Sequence, residues 1–342
     1  MVKDIAAGTN SCDMYGLFEV NGNVYFDADD KIHGKELWKS NGTAAGTMMV
    51  KDIYAGTAPS FIDGRTMVNG TLFFSAWDGG IYGNELWKSN GTATGTVMVK
   101  DLIPGPVTTG FPSVRNPYNF NGTLFFNGDD GVNSQVLFKS DGTANGTVMV
   151  SNNCLYPKIL GSINNVMYMT ATDNVHGSEL WRSDGTATGT TLIKDIRPGT
   201  FASDISNVFF DNPVFYFSAN DGVNGWELWK SDGTSTGTVL LKDIATPNSS
   251  SPAEFVKLGN NIYFFASDQA NGRSLWKTDG TTAGTVFIKA VTPTVSSANI
   301  GFELTAFNNM LIFHNADVTN GFRIWKSDGT AAGTQVDRKS VV

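Results

Sequence analysis

The chain has 342 residues, 41% of them hydrophobic and 12% aromatic, and a formal net charge of −8. That length and apolar content allow a large core. An acidic chain without a Lys/Arg cluster argues against nucleic acid, whose phosphates need cations. No apolar run reaches the roughly 18 residues of a membrane helix, so no membrane insertion is expected.

Taken in chain order, the first unit holds four short runs, near residues 14–21, 23–29, 35–41 and 46–53, called here a, b, c and d. Run b is the most apolar: Val24-Tyr25-Phe26, then Leu72-Phe73-Phe74 and Leu124-Phe125-Phe126 in later units. Both faces of such a strand must be buried, and its aromatic and β-branched content favours strand over helix. Runs a and b meet at Asn21-Gly22, Asn69-Gly70 and Asn121-Gly122, the two-residue hairpin signal. Runs c and d meet through Asp/Asn-Gly-Thr-x-x-Gly-Thr, where Asp or Asn forms an Asx-turn and Gly supplies a positive φ.

This unit recurs. The Gly of its first Gly-Thr pair returns at Gly42, Gly91, Gly142, Gly185, Gly233, Gly280 and Gly329, in steps of 49, 51, 43, 48, 47 and 49 residues. A near-constant step of that size signals a repeat architecture. Seven units of four antiparallel strands predict an all-β seven-bladed β-propeller, read as one domain over residues 1–342. Trp38, Trp87, Trp181, Trp229, Trp276 and Trp325 share one position in run c, with Phe138 in the third unit, and are expected to pack between blades. In the seventh unit Asp337 falls where Val50, Val99 and Val150 stand, a buried strand position. Residues 2–5, Val-Lys-Asp-Ile, fit that strand better. The N-terminus is therefore expected to complete the last blade and close the ring, leaving a frayed tail from about residue 335. Cys12 and Cys154 lie three repeats apart and are not expected to form a disulfide.

The run Glu-Leu-Trp-Lys-Ser-Asp-Gly-Thr-x-x-Gly-Thr, followed by Lys-Asp-Ile, resembles the ELWxxDGT repeat family of mostly secreted bacterial proteins. Residues 36–53, 85–102, 179–196 and 227–244 match well; Val136-Leu137-Phe138, Ser274-Leu275-Trp276 and Arg323-Ile324-Trp325 depart. The resemblance implies a propeller-like fold, an extracellular or cell-surface location and an interaction role. It implies no reaction and no catalytic residue.

Glu36, Glu85, Glu179 and Glu227 each precede a lysine by 15 residues: Lys51, Lys100, Lys194 and Lys242. Across a c–d hairpin these read as structural ion pairs. The b–c loops are rich in Asp, Asn and Gly. They suggest polar turns, with Ca²⁺ as the alternative ligand, although the EF-hand order is absent. His33 and His176 share one loop position, too few for a metal cluster; no metal ligands and no cofactor are assigned. No catalytic motif appears, and no single non-repeated carboxylate stands out. Trp77 and Trp226 are additional tryptophans at b–c corners. With Asp78, Tyr82 and Asp221 they form the candidate ligand-binding set, indole platforms for sugar rings beside carboxylates for hydroxyls. The expectation is a non-catalytic extracellular binding or adhesion module that recognises carbohydrate or a protein partner. The alternatives are a propeller enzyme acting on glycans and a structural subunit that self-assembles through its rim or tail.

Overall fold

The computed structural model describes residues 1–80, 84–103, 114–291, 303–317 and 321–337. The chain divides into two compact units, residues 1–159 with 183–190, and residues 160–182 with 191–342. Every regular element is a strand, so the all-β reading holds among the described residues.

The first sheet is a meander of β1 (Tyr15–Val20), β2 (Asn23–Asp29), β3 (Lys35–Ser40) and β4 (Met48–Lys51). The second repeats it with β5 (Asp63–Val68), β6 (Thr71–Trp77), β7 (Asn84–Ser89) and β8 (Val97–Lys100). A larger sheet holds β9 (Val114–Phe120), β10 (Thr123–Gly128), β11 (Val136–Ser140), β12 (Val148–Ile163), β13 (Val166–Thr172), β14 (Glu179–Ser183) and β15 (Thr191–Lys194). Three further meanders follow. They are β16 (Ser206–Asp211) to β19 (Val239–Lys242) through β17 (Val214–Asn220) and β18 (Trp226–Ser231); β20 (Ala253–Leu258) to β23 (Val286–Ala290) through β21 (Asn261–Asp268) and β22 (Gly272–Thr278); and β24 (Thr305–Phe307) to β27 (Gln335–Val336) through β25 (Met310–Asp317) and β26 (Gly321–Ser327). The repeated antiparallel meander is β-propeller-like in construction.

The expectation of a seven-bladed propeller with four strands per blade, closed by the N-terminal strand, is corrected on both counts. Among the described residues the strands form six sheets, none of them closed, and one has seven strands. The cause is β12, 16 residues long, which ends the third meander and begins the fourth. The step from Gly142 to Gly185 is the shortest in the chain and leaves no residues for the usual d–a loop. Residues 1–14 carry no strand, and the fourth strand of the last sheet is β27. Asp337, expected to be incompatible there, donates its N–H to Ile324 O at 2.8 Å and has its carboxylate 3.8 Å from Lys326 Nζ. A lysine on the neighbouring strand thus accommodates the charge that seemed to bar the C-terminal segment. Residues 338–342 of the expected tail lie outside the described residues.

The c–d motif is accounted for atom by atom. In the third repeat Asp141 Oδ1 accepts from Thr143 N (2.8 Å) and Thr143 Oγ1 (2.7 Å), an Asx-turn. Thr143 Oγ1 accepts from Gly146 N, Thr147 Oγ1 donates to Thr143 O, and Ser140 Oγ lies 2.7 Å from Thr147 Oγ1. The motif's side chains thus bond to one another and to the turn's own backbone.

Within each unit, consecutive sheets pack face to face. Tyr25 and Leu37 join Leu72, Phe74 and Trp87 in one cluster; in the other unit Tyr216 and Leu228 join Ile262, Phe264 and Trp276. Trp38, Trp87, Trp181, Trp229 and Trp276 are all buried, as expected of the packing position. The motif lysines tie sheet to sheet: Lys39 Nζ donates to Gly91 O (2.7 Å), Lys51 Nζ to Thr96 O (2.9 Å) and Lys100 Nζ to Thr147 O (2.7 Å). This corrects the Glu–Lys ion pairs. Register sets Leu37, not Glu36, opposite Lys51, and Glu36 lies fully buried with Oε2 accepting the Ile53 N–H.

Candidate active site

The first unit holds a cavity of about 470 Å³ at the start of the first sheet. Its floor is β2. Asp27 is buried between Phe26 and Ala28, and Arg65 Nη2 donates to its Oδ1. Gly16, at φ +64°, makes that reach feasible, because a Cβ there would stand 2.6 Å from Arg65 Nη1. One wall is the segment before β1, pinned by Asp29 N–H to Cys12 O at 2.8 Å. It carries Asp13, with Lys31 Nζ donating to Asp13 Oδ2 (3.0 Å) and Asp29 Oδ2 (2.9 Å). Two exposed aromatics stand at the rim, Tyr15 and Phe61. Lys35 Nζ sits 4.3 Å from the Tyr15 ring centroid, within cation–π range.

The carboxyls of this cavity have unlike environments. Burial pushes Asp27 up, and Arg65 offsets only part of that. Asp13 is held below the usual carboxylate range, first by its hydrogen bond from Lys31 and then by Ser11. A carboxyl pushed up and another pushed down in one cleft is the arrangement that divides acid from base.

Sequence reasoning missed Asp27, although a signal was present. Register places Asp27 opposite Leu37, as Ser75 is opposite Leu86, Asn127 opposite Leu137, Ser218 opposite Leu228, Phe265 opposite Leu275 and His314 opposite Ile324. Among these it is the one carboxylate, the non-repeated acid that the repeat pattern hides.

The sequence-nominated residues lie elsewhere. Trp77 ends β6 and packs on Tyr54 (centroids 5.2 Å apart, edge-on) and on Phe61 (5.7 Å), so it supports the cavity rim from behind. Asp78 follows it in the chain. Tyr82 lies outside the described residues. Trp226, in the second unit, opens β18 and is 37% exposed; its backbone accepts from Ser250 N and Ser251 N. Asp221 is used by its own turn, with Oδ1 accepting from Val223 N and Asn224 N and Oδ2 from Asn224 Nδ2. Asp30, Asp130, Asp173 and Asp268 build the same turn, with His33, Asn133, His176 and Asn271 in the place of Asn224. His and Asn are thus interchangeable caps here. Among the described residues no group of three or more His, Cys, Asp or Glu side chains is placed to hold a metal ion.

No family model and no curated protein matches the chain. Among solved structures it is similar to a puromycin hydrolase (TM-score 0.44, 12% identity, 97% of this chain and 54% of that one). It is similar also to a prolyl endopeptidase (0.47, 9%, 96% and 50%) and to prolyl oligopeptidase B from Galerina marginata (0.47, 10%, 97% and 52%). The chain spans about half the length of each. Hydrolases therefore stand among its structural neighbours. On that finding the expectations of a non-catalytic binding or adhesion module, and of a chain that is no enzyme, are withdrawn. The likeness is too slight to carry an activity, a substrate or a residue role to this chain.

Proposed function

We propose that the chain is an enzyme acting on glycans at the cavity of its first unit, a hydrolase of glycosidic bonds. The observation that supports this reading is the Asp27–Asp13 pair, two carboxyls of opposite bias facing one aromatic-rimmed cavity. Asp27, pushed up by burial, is the general acid that protonates the leaving oxygen. Asp13, kept ionised by Lys31, is the base that activates water on the other side of the sugar. Tyr15 and Phe61 offer apolar faces to sugar rings, and Arg65 positions Asp27. A secreted or surface location, implied by the repeat resemblance, belongs to the same reading.

The test is a panel of neutral and acidic polysaccharides scored for new reducing ends, run beside peptide substrates. Turnover of a glycan is expected, with kcat reduced about 10²-fold or more in Asp27→Asn and circular dichroism unchanged. Turnover of peptides alone, or glycan turnover indifferent to Asp27→Asn and Asp13→Asn, would overturn it.

A further inference from the structure

Among the described residues the charged side chains that line the cavity of the first unit are Asp13, Asp27, Asp29 and Lys35. The three acids have partners of their own. Lys31 bridges Asp13 and Asp29 at 3.0 and 2.9 Å, and Arg65 holds Asp27. Asp63, which also acts on Asp27, stands exposed outside the lining, with Oδ1 accepting the Gly64 N–H. The glycan reading brings Asp27 to the reaction protonated. Lys31, Lys35 and Arg65 then face two lining carboxylates, and the cavity is no longer acidic although the chain is.

Lys35 is the cation that these pairings leave over. Among the described residues its Nζ has no hydrogen-bond acceptor; it stands 4.3 Å from the centroid of the Tyr15 ring. It is near enough to Asp13 and Asp27 to act on the charge of both, and forms an ion pair with neither. The motif lysines behave differently, since Lys39, Lys51 and Lys100 each end on a carbonyl oxygen. A ring face draws a cation, but it leaves the three N–H donors of an ammonium largely unused.

The main chain sets Lys35 in place. Ser60 N and Ser60 Oγ both donate to Lys35 O, at 3.1 and 3.3 Å, and register puts Lys35 opposite Asp29. The repeat does not call for a lysine there: other units carry Asn84, Ser178, Trp226 or Arg273 at the same position. Like Asp27, Lys35 belongs to the first unit alone, and both line the same cavity.

Resting on the glycan reading above, we propose that Lys35 sets the specificity of this cavity: its ammonium hydrogen-bonds an oxyanion carried by the sugar at the Tyr15 end, so the substrate is an acidic glycan. A uronate carboxylate and a sulfate ester both offer that oxyanion. A charge-assisted hydrogen bond is about twice as strong as a neutral one, enough for a preference of about tenfold over an uncharged sugar.

The test uses 1,4-linked oligouronides in both anomeric forms, the same oligomers with their carboxylates reduced to alcohols, and the reduced oligomers after sulfation. Backbone and linkage stay fixed while the charge is removed and restored. Turnover and calorimetric binding are measured with the whole chain, with Lys35→Met, which keeps the apolar stem, and with Lys35→Arg, which keeps the charge. In the wild type at least one charged form should be preferred to the reduced form by about tenfold or more, through KM, with the preference shrinking as salt screens it. Lys35→Met should lose that preference and Lys35→Arg should keep most of it. The carboxylate and sulfate arms then tell which oxyanion is read. Equal handling of charged and reduced oligomers by the wild type would overturn the assignment without help from any variant. So would a preference that survives in Lys35→Met with its melting curve intact, and in both cases glycan hydrolysis would still stand. Lys35-dependent binding of a charged oligomer with no turnover would remove hydrolysis and keep the oxyanion site. Neither binding nor turnover of any oligomer would remove both.

Discussion

The second glycine of each Gly-Thr-x-x-Gly-Thr turn is required by contact, not by its dihedral angle. A Cβ on Gly146 would stand 2.0 Å from Asp141 Oδ1, inside the Asx-turn that the aspartate holds. Gly146→Ala must therefore break that turn or displace the backbone, and should cost about 2–3 kcal/mol in chemical denaturation. Gly22 differs: its φ is +76° and a Cβ there meets nothing within 4 Å. Gly22→Ala carries only the conformational penalty, about 1 kcal/mol. Equal losses for the two variants would refute this distinction. The same contrast between repeated and unique residues governs the cavity. Asp141 and its counterparts are legible because they recur. Asp27 was overlooked because a single acid in an apolar strand reads as noise until register sets Ser75, Asn127 and Ser218 at its position.

At the scale of elements, β18 carries two tryptophans with different duties. Trp229 is 5% exposed and packs with Phe215, Phe217 and Leu180. Trp226 is 37% exposed at the strand's start. Trp229→Ala should cost about 3–5 kcal/mol, the usual range for emptying a large aromatic site, and Trp226→Ala less than about 1 kcal/mol. Urea titrations with unchanged slope decide it, and a large loss at Trp226 would mean that it is part of the core. The motif lysines should behave in an intermediate way. Lys88→Met keeps the apolar stem and removes the 2.8 Å bond to Gly142 O, which should cost about 1 kcal/mol. Strand identity was legible from run b and from the Asn-Gly turns. The merging of two meanders through β12 was not, because strand pairing across a short step depends on which loop residues are missing rather than on which are present.

The molecule as a whole should be most stable on the mildly acidic side of neutrality. Above that range Glu36 and Glu179, pushed up by burial to about 8 and about 7, lose a stabilisation that is complete below their ordinary value of 4.5 and falls away as pH rises through the folded values. Below it the turn aspartates Asp141, Asp232, Asp279 and Asp328 decide the outcome. Each is held below its ordinary value of 3.8, first by the side-chain hydrogen bond of the following threonine, Thr143, Thr234, Thr281 and Thr330. Their stabilisation is present above 3.8 and is lost as pH falls through the lower folded values. Melting temperature plotted against pH should therefore fall on both sides. A curve still rising below about pH 3.5 would contradict the assigned turns.

The sequence by itself determined the repeat, the strands, the turn chemistry and the packing tryptophans. Each of these is local or recurs with a fixed step, so seven copies average out the accidents of one. Tertiary structure alone decided what the copies do not share. It set Lys51 on Thr96 O instead of on Glu36, and paired β27 where residues 2–5 had been expected. It also brought Asp13 and Asp27 to one cavity and set Arg65, from a third segment, on Asp27. Those contacts join residues distant in sequence, and their energies depend on burial and distance, neither of which a repeat pattern contains.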